Sequence, residues 1–373
     1  MIRNGISMRG VMFLVVMMTV FIMVPACTSH DEGEAFDIRK GVNISCWLSQ
    51  TASRKGPVET YFTEQDVRRL AEWGFDHIRL PIDEKEILTE ELGWIDPSRQ
   101  LIHKAIGWCE KYDMRVILDL HILRSHYFND SAHMTLWKEK SDQDRMMKIW
   151  KLLSDEFKHY PVSLLAYELL NEPVPDTPEQ WNDLSARLIA QIRKTEPKRM
   201  IIVDPGSHAS IGALPTLSLP ENDRNLMFAV HFYTPHLLTH YRARWWAAMK
   251  DLTIPINYPG QLVAKEIVDT IKNKENLRVV NYYNGYYDKA VLAEKLEMAF
   301  EKSRQTGLKF LISEVGCIDN TPEEPKINWC TDIAAICRER HVAFSIWGFK
   351  ASFGLFNDDG TVKDKRLMEA FVK

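Results

Sequence analysis

Apolar residues fall along this chain in two alternating rhythms. Short apolar runs closed by a polar or turn residue read as strands buried on both faces, and they occur at 41–48, 76–82, 115–121, 163–173, 200–204, 226–233, 309–316 and 343–350. Between them, apolar positions at helical spacing predict helices over 63–74, 97–112, 142–159, 177–195, 288–306 and 327–340. Thr63 supplies a start signal and Gly74 a stop for the first of these. Repetition of strand then helix implies parallel strands, and eight such units are the count of a (β/α)8 barrel. One stretch breaks the rhythm: an insertion at about 235–287, after the sixth strand, carries aromatics and several prolines. No linker rich in Pro, Gly or Ser separates a second module, and 373 residues fit one barrel with insertions.

The fourth run, S-L-L-A-Y-E-L-L-N-E-P over 163–173, opens apolar and closes on an amide, a carboxylate and a proline. Pro173 stops the strand because it has no N–H for the ladder, so Asn171 and Glu172 sit at its C-terminal end. Barrels place their chemistry at that end, in the βα loops. Other strands close on polar or aromatic residues too: Arg79, His121, His231 with Tyr233, Glu314 and Trp347. Singly, each reads as an ordinary salt bridge or core side chain. Two glutamates closing the fourth and seventh strands of one barrel, ringed by such residues, point instead to a shared site.

With H-I-R-L-P, L-D-L-H, L-L-N-E-P, V-H-F-Y, I-S-E-V-G and S-I-W-G-F-K in this order, the chain resembles glycoside hydrolase family 5, the cellulase-type barrels. The likeness runs from Gly41 onward. It implies Glu172 as acid/base and Glu314 as nucleophile, with Arg79, His121, Asn171, His231, Tyr233 and Trp347 around the sugar and no cofactor. Retaining hydrolysis needs a carboxylic acid to protonate the leaving oxygen and a carboxylate roughly 5 Å away to attack the anomeric carbon. Glu172 is therefore expected to be protonated, and Glu314 to be held ionised by Arg79 and the Tyr233 hydroxyl. The stretch from His231 to Trp245, followed by Y-P-G-Q, further resembles compact endo-β-1,4-glucanases with an insertion after the sixth strand. The implied partner is a β-1,4-glucan, cellulose-type or mixed-linkage; a β-mannan or xyloglucan stays open, as does a catalytically silent glycan-binding lipoprotein.

Other residues compete for these roles. Asp119 and Glu168 lie deeper on the same strand faces and Asp204 closes the fifth strand, where packing leaves no room for a polysaccharide, so they are read as partners of basic groups. His231, His236 and His240 lack the carboxylate pattern of a metal site, and none is assigned. Trp47, Trp137, Trp245, Trp246, Tyr282, Tyr283, Tyr286 and Tyr287 fall in or beside βα loops, where about half should be packing and the rest cleft lining.

Charge changes the picture little. A formal net charge of -4 gives no reason to expect nucleic acid or an anionic lipid surface as partner, and a monomer is expected. The N-terminus changes it more. Arg3 and Arg9 precede an apolar run over 11–24, too short for a comfortable membrane span, and Pro25-Ala26-Cys27 follows. This reads as an export signal over 1–26 of lipoprotein type, with Cys27 lipidated, a polar tether over 27–37 and the catalytic domain over 38–373. The protein is then exported and surface-held or simply secreted, touching membrane only through its anchor. The remaining cysteines, Cys46, Cys109, Cys317, Cys330 and Cys337, are odd in number with no C-x-x-C pair, and are expected as mostly free, buried thiols.

Overall fold

The computed structural model describes residues 1–2, 35–130 and 134–373, so the expected export signal from residue 3, Cys27 and the expected tether as far as residue 34 lie outside the described residues. The strands are β1 (Lys40–Asn43), β2 (His77–Asp83), β3 (Arg115–Ile122), β4 (Leu165–Glu168), β5 (Ile201–Val203), β6 (Leu226–Phe232), β7 (Gly260–Gln261), β8 (Tyr286–Tyr287), β9 (Phe310–Val315) and β10 (Ala343–Ile346). Eight of them close a barrel in the order β1-β10-β9-β6-β5-β4-β3-β2, every neighbour parallel, which is the predicted (β/α)8 architecture.

Alternation along the strands sorts the barrel interior by height. Ile117, Ala166, Ile202, Met227, Ala229, Leu311 and Ala343 form an apolar floor, covered by Phe36 and Ile38. Two residues further along the same inward faces stand Asp119, Glu168, Asp204, His231, Ser313 and Ser345, all buried. Intervening residues such as Ile78, Leu80, Leu118, Leu120 and Ile312 point outward into the shell under the helices. Two strands depart from this rule: β3, where Ile82 and Asp83 of β2 pair with Leu120 and Ile122, and β9. Val230 and His231 of β6 pair with Ile312 and Glu314, and Phe344 and Ile346 of β10 pair with Ile312 and Val315, so β9 carries one extra residue at Ser313–Glu314. A bulge of this kind re-aims a side chain, and here it turns Glu314 inward beside Ser313.

The helices begin where their caps dictate. Thr63 and Asp66 form a capping box at Glu64–Glu72, and Thr177 and Gln180 form another at Pro178–Arg193. Asp288 accepts from the Val291 N–H at the start of Lys289–Thr306, which ends at Gly307 with φ 69, a backbone region open to glycine. The helix predicted from 327 starts a turn earlier, at Glu323, and a C-terminal helix, Lys365–Val372, buries Leu367, Met368 and Phe371 without having been foreseen. The first strand is shorter than its apolar run, because Cys46 adopts φ 62 and breaks the extension; Leu48 rejoins the sheet by a bridge to Ile82.

The insertion is more regular than its sequence suggests. It holds helices His236–Thr239, Lys265–Val268 and Lys274–Tyr283 and the antiparallel ribbon of β7 and β8. Leu237, Leu238, Tyr241, Met249, Leu252, Tyr258, Leu262 and Val280 bury its inner side. Cys46, Cys109, Cys317, Cys330 and Cys337 are all free and buried. No helix among the described residues is long and apolar enough to cross a membrane.

Candidate active site

Arg79, on β2, organises the upper barrel. Its guanidinium is fully buried and donates to both oxygens of Glu168 at 2.8 Å, to Asn43 Oδ1 and Asn171 Oδ1 at 2.8 Å, and to Glu314 Oε1 at 3.1 Å, with Asp119 Oδ2 at 3.0 Å. A fork of five donors suits this many acceptors where a lysine could not. Asp119 and Glu168 thus pair with Arg79, as their depth implied, whereas Asp204 accepts the Glu172 N–H and, among the described residues, has only His231 Nε2, at 3.9 Å, as a basic neighbour.

Glu314 is held from the other side by the Tyr233 hydroxyl, which donates to Oε2 at 2.9 Å. Across the opening, Glu172 Oε1 accepts from His231 Nδ1 at 2.8 Å, and the same nitrogen lies 3.5 Å from Glu314 Oε2. One oxygen of each glutamate and a nitrogen of His231 fall within 4.8 Å of one another. Asn171 Oδ1 accepts from Arg79, and its buried Nδ2 has no partner among the described residues, leaving a donor beside Glu172. Trp347 lies parallel to His121, with ring centroids 5.5 Å apart and planes 7° from coplanar. His121 Nδ1–H donates to Asp119 Oδ2 at 2.7 Å while its Nε2 accepts from the Gln50 amide at 3.1 Å, which fixes the neutral tautomer. Burial, then the Arg79 charge, lowers its pKa to about 4. All eight residues singled out from the sequence meet at the C-terminal mouth.

The protonation pattern differs from the expectation. Burial pushes the Glu172 carboxyl up, but the hydrogen bond and charge of His231 outweigh it and the net direction is down. Burial raises Glu314, with the Glu172 charge adding to it against His231 and Arg79. His231 is depressed by burial yet raised on balance by the two glutamates. The sequence reading set His231 around the sugar and did not foresee its imidazole between the two carboxylates. Three groups in such contact titrate together, and the proton that Glu172 requires as an acid sits 2.8 Å away on His231 Nδ1.

Three contributors escaped the sequence reading, and a fourth, Asp204, was given a different role there. Asn43 bridges Arg79 to the Ser313 carbonyl, Gln50 sets the His121 tautomer, and Asp204 and His126 contact the Glu172 backbone. A polar residue inside an otherwise apolar strand run was the available signal for Asn43. Gln50 and His126 sit in loops and gave none. Of the loop aromatics, Trp47 and Trp137 are core, Trp47 edge-on to Phe62 and Trp137 to Trp181. His236 and His240 stack on each other and meet Trp246 edge-on, and His240 also packs edge-on against the Tyr233 ring that holds Glu314. Glu172, His231 and Glu314 are the described donor set compact enough for a metal ion, but the Arg79 cation on Glu314 opposes a second positive charge there. A cavity of about 590 Å³ opens at the opposite end, lined by Phe36, Lys40, Met227, Phe310, Phe344 and Phe371, and contains none of these residues.

The sequence pattern of the cellulase family (glycosyl hydrolase family 5) matches residues 39–352. The chain belongs to glycosyl hydrolase family 5. This family 5 protein is 28% identical over 340 residues to Endoglucanase C of Acetivibrio thermocellus, covering 90% of this chain and 98% of that one. It is 26% identical over 294 residues to Cellodextrinase A of Ruminococcus flavefaciens, covering 78% and 80% respectively. Among solved structures, a hyperthermophilic endo-β-1,4-glucanase in complex with substrate shares the fold at TM-score 0.72 and 23% identity, covering 90% of this chain and 97% of that one. The Clostridial cellulose synthase subunit Z of Clostridioides difficile does so at TM-score 0.73 and 20% identity, covering 90% and 100%. As a family 5 member the protein is a glycosidase acting on O-glycosyl bonds.

Proposed function

We propose that the protein is a retaining endo-β-1,4-glucanase in which Glu172 is the acid/base and Glu314 the nucleophile. The observation that carries this reading is the closeness of the two carboxylates, oxygens within 4.8 Å, one in the loop after β4 and one near the end of β9. That spacing suits direct attack; an interposed water would need roughly 6.5–9.5 Å. The Glu172 side chain is 16% exposed against 8% for Glu314, so the acid is the more open to a leaving group.

In the first step the Glu172 carboxyl, charged with the proton from His231, gives it to the glycosidic oxygen as the C–O bond breaks. A Glu314 oxygen bonds to the anomeric carbon, its charge steadied until then by Arg79 and Tyr233. In the second step Glu172 takes a proton from water, whose oxygen attacks the anomeric carbon and releases Glu314. The free Asn171 Nδ2–H is positioned for the sugar 2-OH, a bond that strengthens as positive charge develops on the ring. Trp347, backed by His121, offers a flat apolar face beneath it.

Relatives named endoglucanases support a β-1,4-glucan as substrate. One Thermotoga maritima Cel5A structure is a complex with mannotriose, at 22% identity, so mannan belongs in the test. On soluble β-1,4-glucan, viscosity should fall well before reducing ends accumulate, with slower action on β-mannan. Reducing ends released without early loss of viscosity, or faster cleavage of mannan, would overturn the assignment. We further infer that Cys27 carries a lipid anchor, motivated by Pro25-Ala26-Cys27 after the apolar run. Cys27→Ser should release active enzyme from the membrane fraction, and unchanged association would contradict the anchor.

A further inference from the structure

Glu172 has an unusual backbone for the residue that handles the proton. Its φ is 46, in the left-handed region that side chains other than glycine, asparagine and aspartate seldom adopt. Such strain persists only where surroundings over-determine it. The surroundings here are two buried side chains that no motif picked out. Asp204 Oδ2 accepts from the Glu172 N–H at 3.1 Å, and His126 Nε2–H donates to the Glu172 carbonyl at 3.2 Å. Both clamps are themselves fixed: the Asp204 carbonyl accepts from Trp181 Nε1 at 2.7 Å, and the His126 ring sits edge-on to Trp137 at 5.4 Å.

We propose that Asp204 and His126 are positioning residues that lock the Glu172 peptide in its left-handed conformation, and so aim the acid/base carboxyl at the leaving-group oxygen. The protonation of both fits the task. Burial, then the Glu168 charge, raises the Asp204 carboxyl far above the ordinary range. A neutral Asp204 can share its proton with the neighbouring Glu168 carboxylate and still accept the Glu172 N–H on Oδ2. Burial lowers His126 to about 4, so it is a neutral ring whose one N–H goes to Glu172. Neither side chain reaches the substrate position, which makes the effect one of aim. A displacement of about 1 Å at a reacting group can cost on the order of 100-fold.

The inference rests on Glu172 being the acid/base, and the test separates the two. The rate kcat/KM is measured on phenyl β-cellobioside, whose leaving group needs a proton, and on 2,4-dinitrophenyl β-cellobioside, whose leaving group does not. Asp204→Asn, which preserves the acceptor and the donor, should stay within about threefold of the parent on both. Asp204→Leu and His126→Phe should lose about 100-fold and about 10-fold on the phenyl substrate and less than about threefold on the activated one. Azide, replacing the water that Glu172 must activate, should raise kcat of both variants on the activated substrate. Equal losses on the two substrates, or Asp204→Asn as impaired as Asp204→Leu, would overturn the clamp. Glu172→Ala is the control: if it shows no leaving-group dependence, the acid/base assignment fails instead. His126→Phe, a ring-for-ring change, keeps the test readable should Asp204→Leu not fold.

Discussion

The lower and upper halves of the barrel interior are built from the same strands and on opposite principles. The floor around Ile117, Ala166, Ile202, Met227 and Leu311 is apolar and held by packing. Two residues higher, one guanidinium faces the carboxyl groups of Asp119, Glu168 and Glu314, with Asp204 and Glu172 nearby. A floor of this kind tolerates loss of a side chain at the cost of a cavity. A buried ionic network does not, since removing one partner leaves the others charged and unpaired. The upper half therefore carries function and fragility together, and the lower half carries stability alone.

The sharpest way to break this comparison is to remove one residue from each half. Arg79→Met should abolish activity and destabilise the fold by about 3–5 kcal/mol or more, as three acids lose their partner. Ile117→Ala should destabilise by about 2–5 kcal/mol while kcat/KM on soluble β-glucan stays within about threefold. Thermal unfolding and initial rates check both; a floor variant as inactive as Arg79→Met would erase the distinction.

A second difference is pH dependence. Asp204 keeps its proton in the fold at pH values where the unfolded chain has lost it. Its folded pKa is raised, so its contribution is fully present below about pH 4 and is lost as pH rises toward the folded value. Asp119 and Glu314 are raised in the same sense. Glu172 is opposite: its lowered pKa makes its contribution present above the unfolded value and lost on acidification. Asp204→Asn should accordingly flatten the decline of stability above about pH 4, where each uncompensated proton is worth about 1.4 kcal/mol per pH unit. Denaturant midpoints across pH 4–8 that fall in parallel for parent and variant would count against a neutral Asp204.

The smallest expected effect lies at the rim. Trp245 and Trp246 looked equivalent in sequence, yet Trp245 is 61% exposed beside Phe353 and His240, while Trp246 packs against the buried core and edge-on to Tyr283. Trp245→Ala should lower kcat/KM several-fold on polymer, less on an aryl cellobioside, with Tm unchanged; Trp246→Ala should lower Tm. The reverse pattern would make Trp245 the structural member of the pair.

Much of this could be read from the chain. Period-two alternation placed Asp119, His121, Glu168 and His231 inward, whereas the expectation that the fourth strand runs to Pro173 overshot: β4 stops at Glu168 and Glu172 has left the extended conformation. Alternation alone would have turned Glu314 away from the site: the extra residue in β9 that brings it in depends on pairing with two neighbours, which no local pattern encodes. The left-handed Glu172 and its two clamps are tertiary in the same sense. So is the proton balance, because it needs His231 placed between the two carboxylates. The insertion hid its helices behind scattered prolines and aromatics, whose partners lie far along the chain, such as Tyr258 with Asp332.

The division of labour between the two glutamates is tested most directly by trapping the covalent intermediate. Incubation with 2,4-dinitrophenyl 2-deoxy-2-fluoro-β-cellobioside, followed by proteolysis and mass spectrometry, should place a single fluorocellobiosyl ester on Glu314, with Glu172 unmodified. A label on Glu172 or another carboxylate, or no label together with an inverted anomer in the first product of glucan hydrolysis, would contradict the account.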